Sequence, residues 1–143
     1  IIPQTTSSLS SRTNNEKILY SYWEKLDVSA IEPLVKAGNT VFVDITADWC
    51  LTCKVNKSLV LDKAEIVDQM TLPGIVAMRG DWTKPDPIIA EYLESFGRYG
   101  LPFNVIYGPA TPLGLVLPEL LSKAAILSGL QQARTTADGA SKQ

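Results

Sequence analysis

The chain has 143 residues, of which 45% are apolar and 20% are charged, and its formal net charge is -2. This size and balance predict one domain with a substantial core, and the absence of a basic run argues against nucleic acid and anionic membrane surfaces as partners. Because the sequence has no histidine and two cysteines, Ser-His-Asp catalysis, Cys-His catalysis and Cys/His zinc sites are excluded.

Both ends of the sequence are polar. Residues 1–15 have few apolar anchors and predict a flexible linker, and residues 135–143 predict a flexible tail, which leaves 16–134 as the domain. No apolar stretch reaches the ~18–20 residues needed to cross a bilayer. The first residues lack the basic segment of a signal peptide, so we expect a mature product or an excised domain.

Between these ends, strand and helix patterns alternate along the chain. Strands are predicted over 20–26, 40–46, 75–80, 103–107 and 115–117, and helices over 30–37, from 50 to about 58, over 63–70, from 87 and over 122–134. This order predicts an α/β fold with a central mixed β-sheet and helices on both faces. The strands that alternate with helices should pair in parallel, and the last two should form an antiparallel hairpin.

Local signals set several of these boundaries. The cap of the first helix is expected to be Asp27, or Ser29 in a capping box with Glu32. Pro33 is expected to lie close enough to the start of that helix to be tolerated, and residues 108–114 should form the hairpin turn. The apolar stripe of the helix that begins at 87 is predicted to consist of Ile88, Ile89, Tyr92, Leu93 and Phe96.

The chemically distinctive residues are Cys50 and Cys53. They follow a predicted strand and lie three apart at a predicted helix start, which is close enough for a disulfide. The Cys50 sulfur is expected to face outward over the unpaired N–H groups of the helix start, where a thiolate is favoured. We therefore expect Cys50 to be the nucleophile in dithiol-disulfide exchange and Cys53 to resolve the mixed disulfide.

Other interpretations of the cysteine pair stay open at this point. The pair could be a structural disulfide or two inert core thiols, although such a short loop constrains little of an unfolded chain. Two soft thiolates could also bind Cu(I) without a histidine, which would make the domain a copper-binding module.

Asp44 interrupts an otherwise apolar strand. A buried carboxyl group is costly and usually has a reason, and its position predicts that Asp44 accepts the proton of Cys53 when Cys53 attacks the mixed disulfide. The alternative is a carboxylate that pairs with a lysine or caps a nearby backbone group.

The run Ala47-Asp48-Trp49-Cys50-x-x-Cys53-Lys54, the later Gly100-Leu101-Pro102 and the order of elements resemble the thioredoxin fold over residues 16–134. Within that superfamily the sequence is similar to the C-terminal periplasmic domain of DsbD-type thiol:disulfide interchange proteins. The phrases Cys-Lys-Val-Asn, Gly-Asp-Trp-Thr-Lys-Pro-Asp-Pro and Phe-Gly-Arg-Tyr-Gly-Leu-Pro-Phe-Asn-Val are similar to the ScsB branch, named for suppression of copper sensitivity.

This resemblance implies a protein-disulfide reductase that uses no bound cofactor. Electrons would pass from cytosolic thioredoxin through a membrane-embedded domain to this domain, and then to an N-terminal periplasmic domain of the same protein and its clients. The resemblance also implies a periplasmic location within an inner-membrane protein, with no membrane insertion by this segment. A redox-inactive docking domain of the same fold is the alternative.

The resemblance further implies a cis peptide bond before Pro102. That bond would bring Leu101 beside the cysteines, where its backbone could pair with an extended partner segment. Trp49 is expected either to shield the thiolate and contact partners or to be an ordinary core or rim tryptophan. Lys57 departs from the DsbD-type pattern, which often has an acid at this position.

The charges near the cysteines predict the direction of electron flow. No cationic residue lies between Cys50 and Cys53, whereas Asp44 and Asp48 lie close by in the sequence. A cation would stabilise the thiolate and make the pair oxidising, and acids act in the opposite direction. We therefore expect a reducing pair, nearer to thioredoxin than to a strong oxidase.

Overall fold

A five-stranded mixed β-sheet forms the centre of the protein, and the computed structural model describes residues 22–134. The strands are β1 (Glu24–Lys25), β2 (Thr40–Thr46), β3 (Ile75–Asp81), β4 (Phe103–Gly108) and β5 (Thr111–Val116). The helices are α1 (Val28–Lys36), α2 (Leu51–Asn56), α3 (Ala64–Met70), α4 (Pro87–Glu94) and α5 (Lys123–Arg134). The predicted α/β class is confirmed, and the predicted linker 1–15 and tail 135–143 lie outside the described residues.

The strand order is β1-β3-β2-β4-β5, so β2 is the middle strand, parallel to β3 and antiparallel to β4. The predicted parallel pairing is therefore confirmed for β1, β2 and β3 and is wrong for β4, which also follows a helix but runs antiparallel to β2. All seven residues of β2 are buried. Phe42 packs with residues of α3 and α5 and with the turn that follows α2, whereas Val43 and Ile45 pack with residues of α1 and α4. Because strand side chains alternate between faces, Asp44 lies on the same face as Phe42.

Helix α1 begins two residues earlier than predicted. Asp27 is its N-cap, and the Asp27 carboxylate accepts a hydrogen bond from the Ser29 N–H at 3.1 Å. Glu32 forms an ion pair with Lys36 at 2.8 Å, instead of closing a capping box with Ser29. Pro33 is thus the sixth residue of α1, in the interior rather than near the start. Because proline has no N–H, it cannot donate to the carbonyl group of Ser29, four residues earlier; both residues are exposed, so water can reach that carbonyl.

The hairpin between β4 and β5 is also tighter than predicted. Only Pro109 and Ala110 connect the strands, in place of the predicted turn over 108–114. The Ala110 N–H donates to the carbonyl oxygen of Ala133 at 3.0 Å, so the turn packs on the end of α5. A Cβ atom at Gly108 would lie 2.4 Å from the same carbonyl oxygen, which explains why a glycine stands there.

Helix α2 continues into a π-helical turn, Lys57–Leu61, so the helical segment is longer than predicted. Asn56 is buried where the two join, and its side-chain amide donates to the Glu119 carbonyl at 2.8 Å and accepts from the Leu121 N–H at 3.0 Å. These two bonds hold α2 against the segment before α5. Among the helices between residues 22 and 134, none is long and apolar enough to span a bilayer.

Candidate active site

Cys50 and Cys53 form a disulfide at the start of α2, with 5.3 Å between their Cα atoms. Cys50 is the N-cap of the helix, and its sulfur accepts a hydrogen bond from the Cys53 N–H at 3.1 Å. The sulfur therefore satisfies one of the backbone donors that a helix start leaves unpaired. In the dithiol form the same N–H would be placed to donate to a Cys50 thiolate, which is the reactive form.

The two cysteines are buried to the same degree, with 5% of Cys50 and 4% of Cys53 exposed. The prediction of an outward Cys50 sulfur is therefore wrong for this disulfide-bonded form. Both residues pack in a small cluster with Ala47, and Leu101 covers that cluster. The neighbours of Cys50 are at the surface, however: Trp49 is 60% exposed and Leu51 is exposed as well.

The loop before β4 brings the other predicted contact residues to the disulfide. The peptide bond between Leu101 and Pro102 is cis, and Pro102 is buried. Leu101 is partly buried against Cys50 and Cys53. Leu101 therefore packs on the cysteine pair and Trp49 is the exposed residue next to Cys50, whereas the buried Pro102 adjoins the pair only through Leu101.

Asp44 lies in a row of three polar side chains across the sheet, here called the polar row: Arg79, Asp44 and Asn104. Strand register places Arg79 of β3 and Asn104 of β4 directly opposite Asp44. The Arg79 Nε donates to Asp44 Oδ2 at 2.8 Å, and the Asn104 side-chain amide donates to Asp44 Oδ1 at 2.7 Å. The Arg79 guanidinium also stacks on Trp23, with its central carbon 3.9 Å from the ring centroid.

Both carboxylate oxygens of Asp44 therefore have a partner. The alternative of a paired carboxylate is what the structure contains, with Arg79 in place of the expected lysine. The Asp44 carboxylate lies on the face of the sheet that the turn after α2 covers. Because both of its oxygens already accept hydrogen bonds, its role as the proton acceptor of Cys53 stays a prediction. Arg79 and Asn104 were not singled out from the sequence, although each is a polar residue inside an apolar strand pattern.

A surface cleft of about 410 Å³ includes Trp49, the residue before Cys50, in its lining. We call it the aromatic cleft, and its lining consists of Trp49, Trp82, Thr83, Pro85 and Tyr99. Of these residues, only Trp49 was a candidate from the sequence. A signal was available, since two tryptophans, a tyrosine and a proline stand in three loops: Trp49 before the first cysteine, Trp82 and Pro85 after β3, and Tyr99 before β4.

Hydrogen bonds from Thr83 fix one wall of the aromatic cleft. The Thr83 hydroxyl accepts from the Asp48 N–H at 2.9 Å and donates to the Asp81 carboxylate. That hydroxyl is the main cause of a lowered pKa of Asp81, and the positive charge of Lys57 lowers it to a smaller extent. The positive charge of Lys57 thus acts on Asp81, the last residue of β3, which immediately precedes Trp82.

The chain belongs to the thioredoxin-like family, because the model of that family matches residues 23–109, well over half of the chain. Two relatives have names that describe an activity. The chain is 31% identical over 81 residues to the thiol:disulfide interchange protein DsbD 1 of Pseudomonas aeruginosa, and 30% identical over 74 residues to DsbD of Vibrio cholerae. These matches cover 57% and 52% of this chain but 13% and 12% of the relatives, so the chain spans a small part of their length.

Solved structures agree on the fold. The oxidised C-terminal domain of DsbD from Neisseria meningitidis aligns with a TM-score of 0.61 at 20% identity, over 78% of this chain and 99% of that one. A thioredoxin from Thermus thermophilus aligns with a TM-score of 0.60 at 18% identity, over 85% and 93% of the two chains. The predicted thioredoxin fold and similarity to DsbD are confirmed. The ScsB branch is not distinguished by these relatives and stays a prediction.

Proposed function

We propose that this domain is a thiol-disulfide oxidoreductase that exchanges disulfides with protein partners through Cys50 and Cys53. One observation carries the proposal: the two sulfurs are bonded to each other at a helix start, and the Cys53 N–H donates to the Cys50 sulfur. The relatives named DsbD, which are thiol:disulfide interchange proteins, support it. A structural role is a poor alternative, because a disulfide across two intervening residues constrains little of the unfolded chain.

The exchange balances with the two cysteines alone. In the reduced domain, the Cys50 thiolate attacks a sulfur of the partner's disulfide, a mixed disulfide forms and one partner thiolate leaves. Cys53 then loses its proton and attacks the Cys50 sulfur, which closes the Cys50–Cys53 disulfide and releases the second partner thiolate. Two electrons move from the domain to the partner, the two partner sulfurs take up protons, and no bound cofactor takes part.

The proton of Cys53 needs an acceptor, and Asp44 is the candidate that we retain. Its two oxygens are held by Arg79 and Asn104. Uptake of a proton by Asp44 would therefore have to replace one of these bonds. We expect the bond from the neutral Asn104 amide to be the one that is lost, because the hydrogen bond from the charged Arg79 is the stronger of the two.

The similarity to DsbD also supports a place in an electron relay. We propose that the domain receives electrons from a membrane-embedded domain of a longer protein and passes them to an N-terminal periplasmic domain and its clients. The location would then be periplasmic, and a role in copper tolerance would follow for a protein of the ScsB branch. The chain matches about an eighth of the length of each relative. These assignments are therefore proposals that rest on the relatives' names and on the resemblance of the sequence.

A redox titration tests the exchange. The protein is equilibrated in glutathione buffers and, for lower potentials, in dithiothreitol buffers, each of stepped ratio, and its free thiols are counted by alkylation and mass spectrometry, with Cys50→Ser and Cys53→Ser as controls. We expect one two-electron transition in which a tenfold change in the equilibrium constant corresponds to about 30 mV, and no such transition in either variant. A pair that stays oxidised or reduced in all buffers, or a dithiol that takes up stoichiometric Cu(I) and does not cycle, would overturn the proposal.

A further inference from the structure

The aromatic cleft is open to solvent and preformed. Tyr99 is 76% exposed and Trp49 is 60% exposed, and the ring centroids of Trp49 and Trp82 lie 6.5 Å apart with the planes tilted by 53°. The loop that carries Trp82 is tied to the sheet, because the Trp82 N–H donates to the Thr46 carbonyl at 2.7 Å. Walls that are fixed in this way reduce the ordering cost when a ligand binds.

Two residues of the cleft lie close along the chain to the site of exchange. Trp49, on one wall, immediately precedes Cys50, and Tyr99, on another, is two residues before Leu101, which packs on the cysteines. A partner segment that forms a bond to Cys50 beside Leu101 therefore binds next to residues that lead directly into the cleft. About three residues of extended chain span roughly 10 Å, so side chains close to the partner's cysteine come within reach.

The chemistry of the lining selects an apolar occupant. Three aromatic rings and a proline contribute most of it, and no lining residue carries a charge. The Thr83 hydroxyl already accepts from the Asp48 N–H and donates to Asp81, and the other polar groups of the lining are the Tyr99 hydroxyl and the two indole N–H groups. Exposed aromatic surface of this kind is typical of binding sites, and a charged side chain would find no opposite charge among the lining residues.

We propose that the aromatic cleft binds a large apolar or aromatic side chain of the partner protein, located within about three residues of the partner's reactive cysteine. The cleft thereby selects which disulfides the domain reduces: extended segments in which a bulky apolar residue stands beside the cysteine. This inference rests on the proposed exchange at Cys50, and it assigns a role to Trp82, Thr83, Pro85 and Tyr99.

Matched peptides test the inference with the full chain. Each peptide has one cysteine and is oxidised to its symmetric disulfide; tryptophan or serine stands two positions before or after the cysteine. The reduced protein is mixed with each peptide disulfide, and the loss of protein thiols is followed by quenched alkylation. We expect the tryptophan peptide to react about tenfold faster than its serine match for at least one of the two placements, a difference that corresponds to 1.4 kcal/mol.

The variant Tyr99→Ser removes one wall of the cleft at an exposed position, so the fold should persist. We expect the tryptophan-to-serine rate ratio to fall toward one in Tyr99→Ser and to be restored in Tyr99→Phe. The matched control is Leu113→Ser, which removes an equally exposed apolar side chain (87%) from the edge strand β5 and should keep the wild-type ratio. Because the cleft has no charge, the ratio should also persist at high salt.

Four results would overturn the inference. The first three are equal rates for both peptides in the wild-type protein, an unchanged ratio in Tyr99→Ser, and an equal fall of the ratio in Leu113→Ser. A fourth is self-association: if the wild-type protein dimerises and Tyr99→Ser does not, the cleft binds a second copy. Failure of the proposed exchange is a separate result, since then no peptide disulfide would be reduced by the wild-type protein at a faster rate than by Cys50→Ser.

Discussion

The polar row includes a residue of the strand that leads toward the cysteine pair, the aromatic cleft includes Trp49 next to Cys50, and the fold builds the two features by different means. The polar row is set by strand register, which places Arg79 and Asn104 opposite Asp44 in the buried sheet. The aromatic cleft is set by three loops, around Trp49, Trp82 and Tyr99, and faces solvent. We propose a matching division of work, in which the row stabilises the fold and takes up the proton of Cys53, and the cleft governs the choice of partner.

The largest effect is expected from Asp44→Ala. It leaves the Arg79 guanidinium partly buried without its carboxylate, and breaking such a pair costs about 3 kcal/mol in the free energy of unfolding, measured by urea denaturation. The matched control is Asp48→Ala, which removes an exposed acid four residues later and should change stability by no more than about 0.5 kcal/mol. Similar losses in both variants would contradict the view that the polar row stabilises the fold.

A double variant sharpens this first prediction. If the cost comes from the unpaired cation, Asp44→Leu combined with Arg79→Met should be more stable than Asp44→Ala alone, because no charge is then left without a partner. A double variant that is less stable than the single one would show that the row contributes through its hydrogen-bonded geometry instead.

A smaller effect is expected from Asn104→Leu, which removes the neutral partner of Asp44 and keeps the ion pair with Arg79. Loss of a hydrogen bond to a charged group should lower the free energy of unfolding by about 2 kcal/mol. The oxygen that Asn104 releases is then free to take a proton. We therefore expect Cys53 to resolve a mixed disulfide faster at neutral pH than in the wild-type protein, as measured by stopped-flow release of the leaving thiol. An unchanged rate at every pH would remove Asp44 as the acceptor.

The smallest effect is expected on the cleft side, from Thr83→Val. This variant loses the bonds to Asp48 and Asp81, at an expected cost of about 1 kcal/mol at neutral pH. The Thr83 hydroxyl lowers the pKa of Asp81. The stabilisation of the fold by the Thr83–Asp81 hydrogen bond is therefore fully present above the ordinary aspartate pKa of 3.8 and is lost as the pH falls through the lowered pKa. The difference in the free energy of unfolding between wild type and variant should therefore shrink in acid. A constant difference from neutral to acid pH would contradict a stabilising bond between Thr83 and the Asp81 carboxylate.

The parts of the fold that follow from local patterns could be predicted from the sequence. The middle strand, with both faces apolar, is found at its predicted bounds, and α4 begins at Pro87 as predicted. Tertiary contacts decided the rest. Ile88 fits the apolar stripe of α4 by spacing but is 68% exposed, because Ile89, Tyr92 and Leu93 already fill the buried face.

The site shows the same division. The sequence indicated Cys50, Cys53 and the buried acid Asp44, since each depends on a local pattern. It could not supply the partners of Asp44, because the alignment of β3 and β4 with β2 is fixed by contacts across the whole sheet. The resemblance to the thioredoxin fold placed Leu101 beside the cysteines, from 51 positions away along the printed sequence, but no local pattern indicated that Cys50 is as buried as Cys53.

The close approach of Gly108 to Ala133 has a consequence for how this family can diverge. A methyl group at position 108 would meet the Ala133 carbonyl oxygen at 2.4 Å, and that oxygen also holds the Ala110 N–H. A relative with alanine at this position must therefore end its last helix earlier or tilt that helix away from the hairpin. Glycine at 108 thus acts as a spacer, and its replacement in a homologue would mark a changed arrangement of the carboxyl-terminal helix.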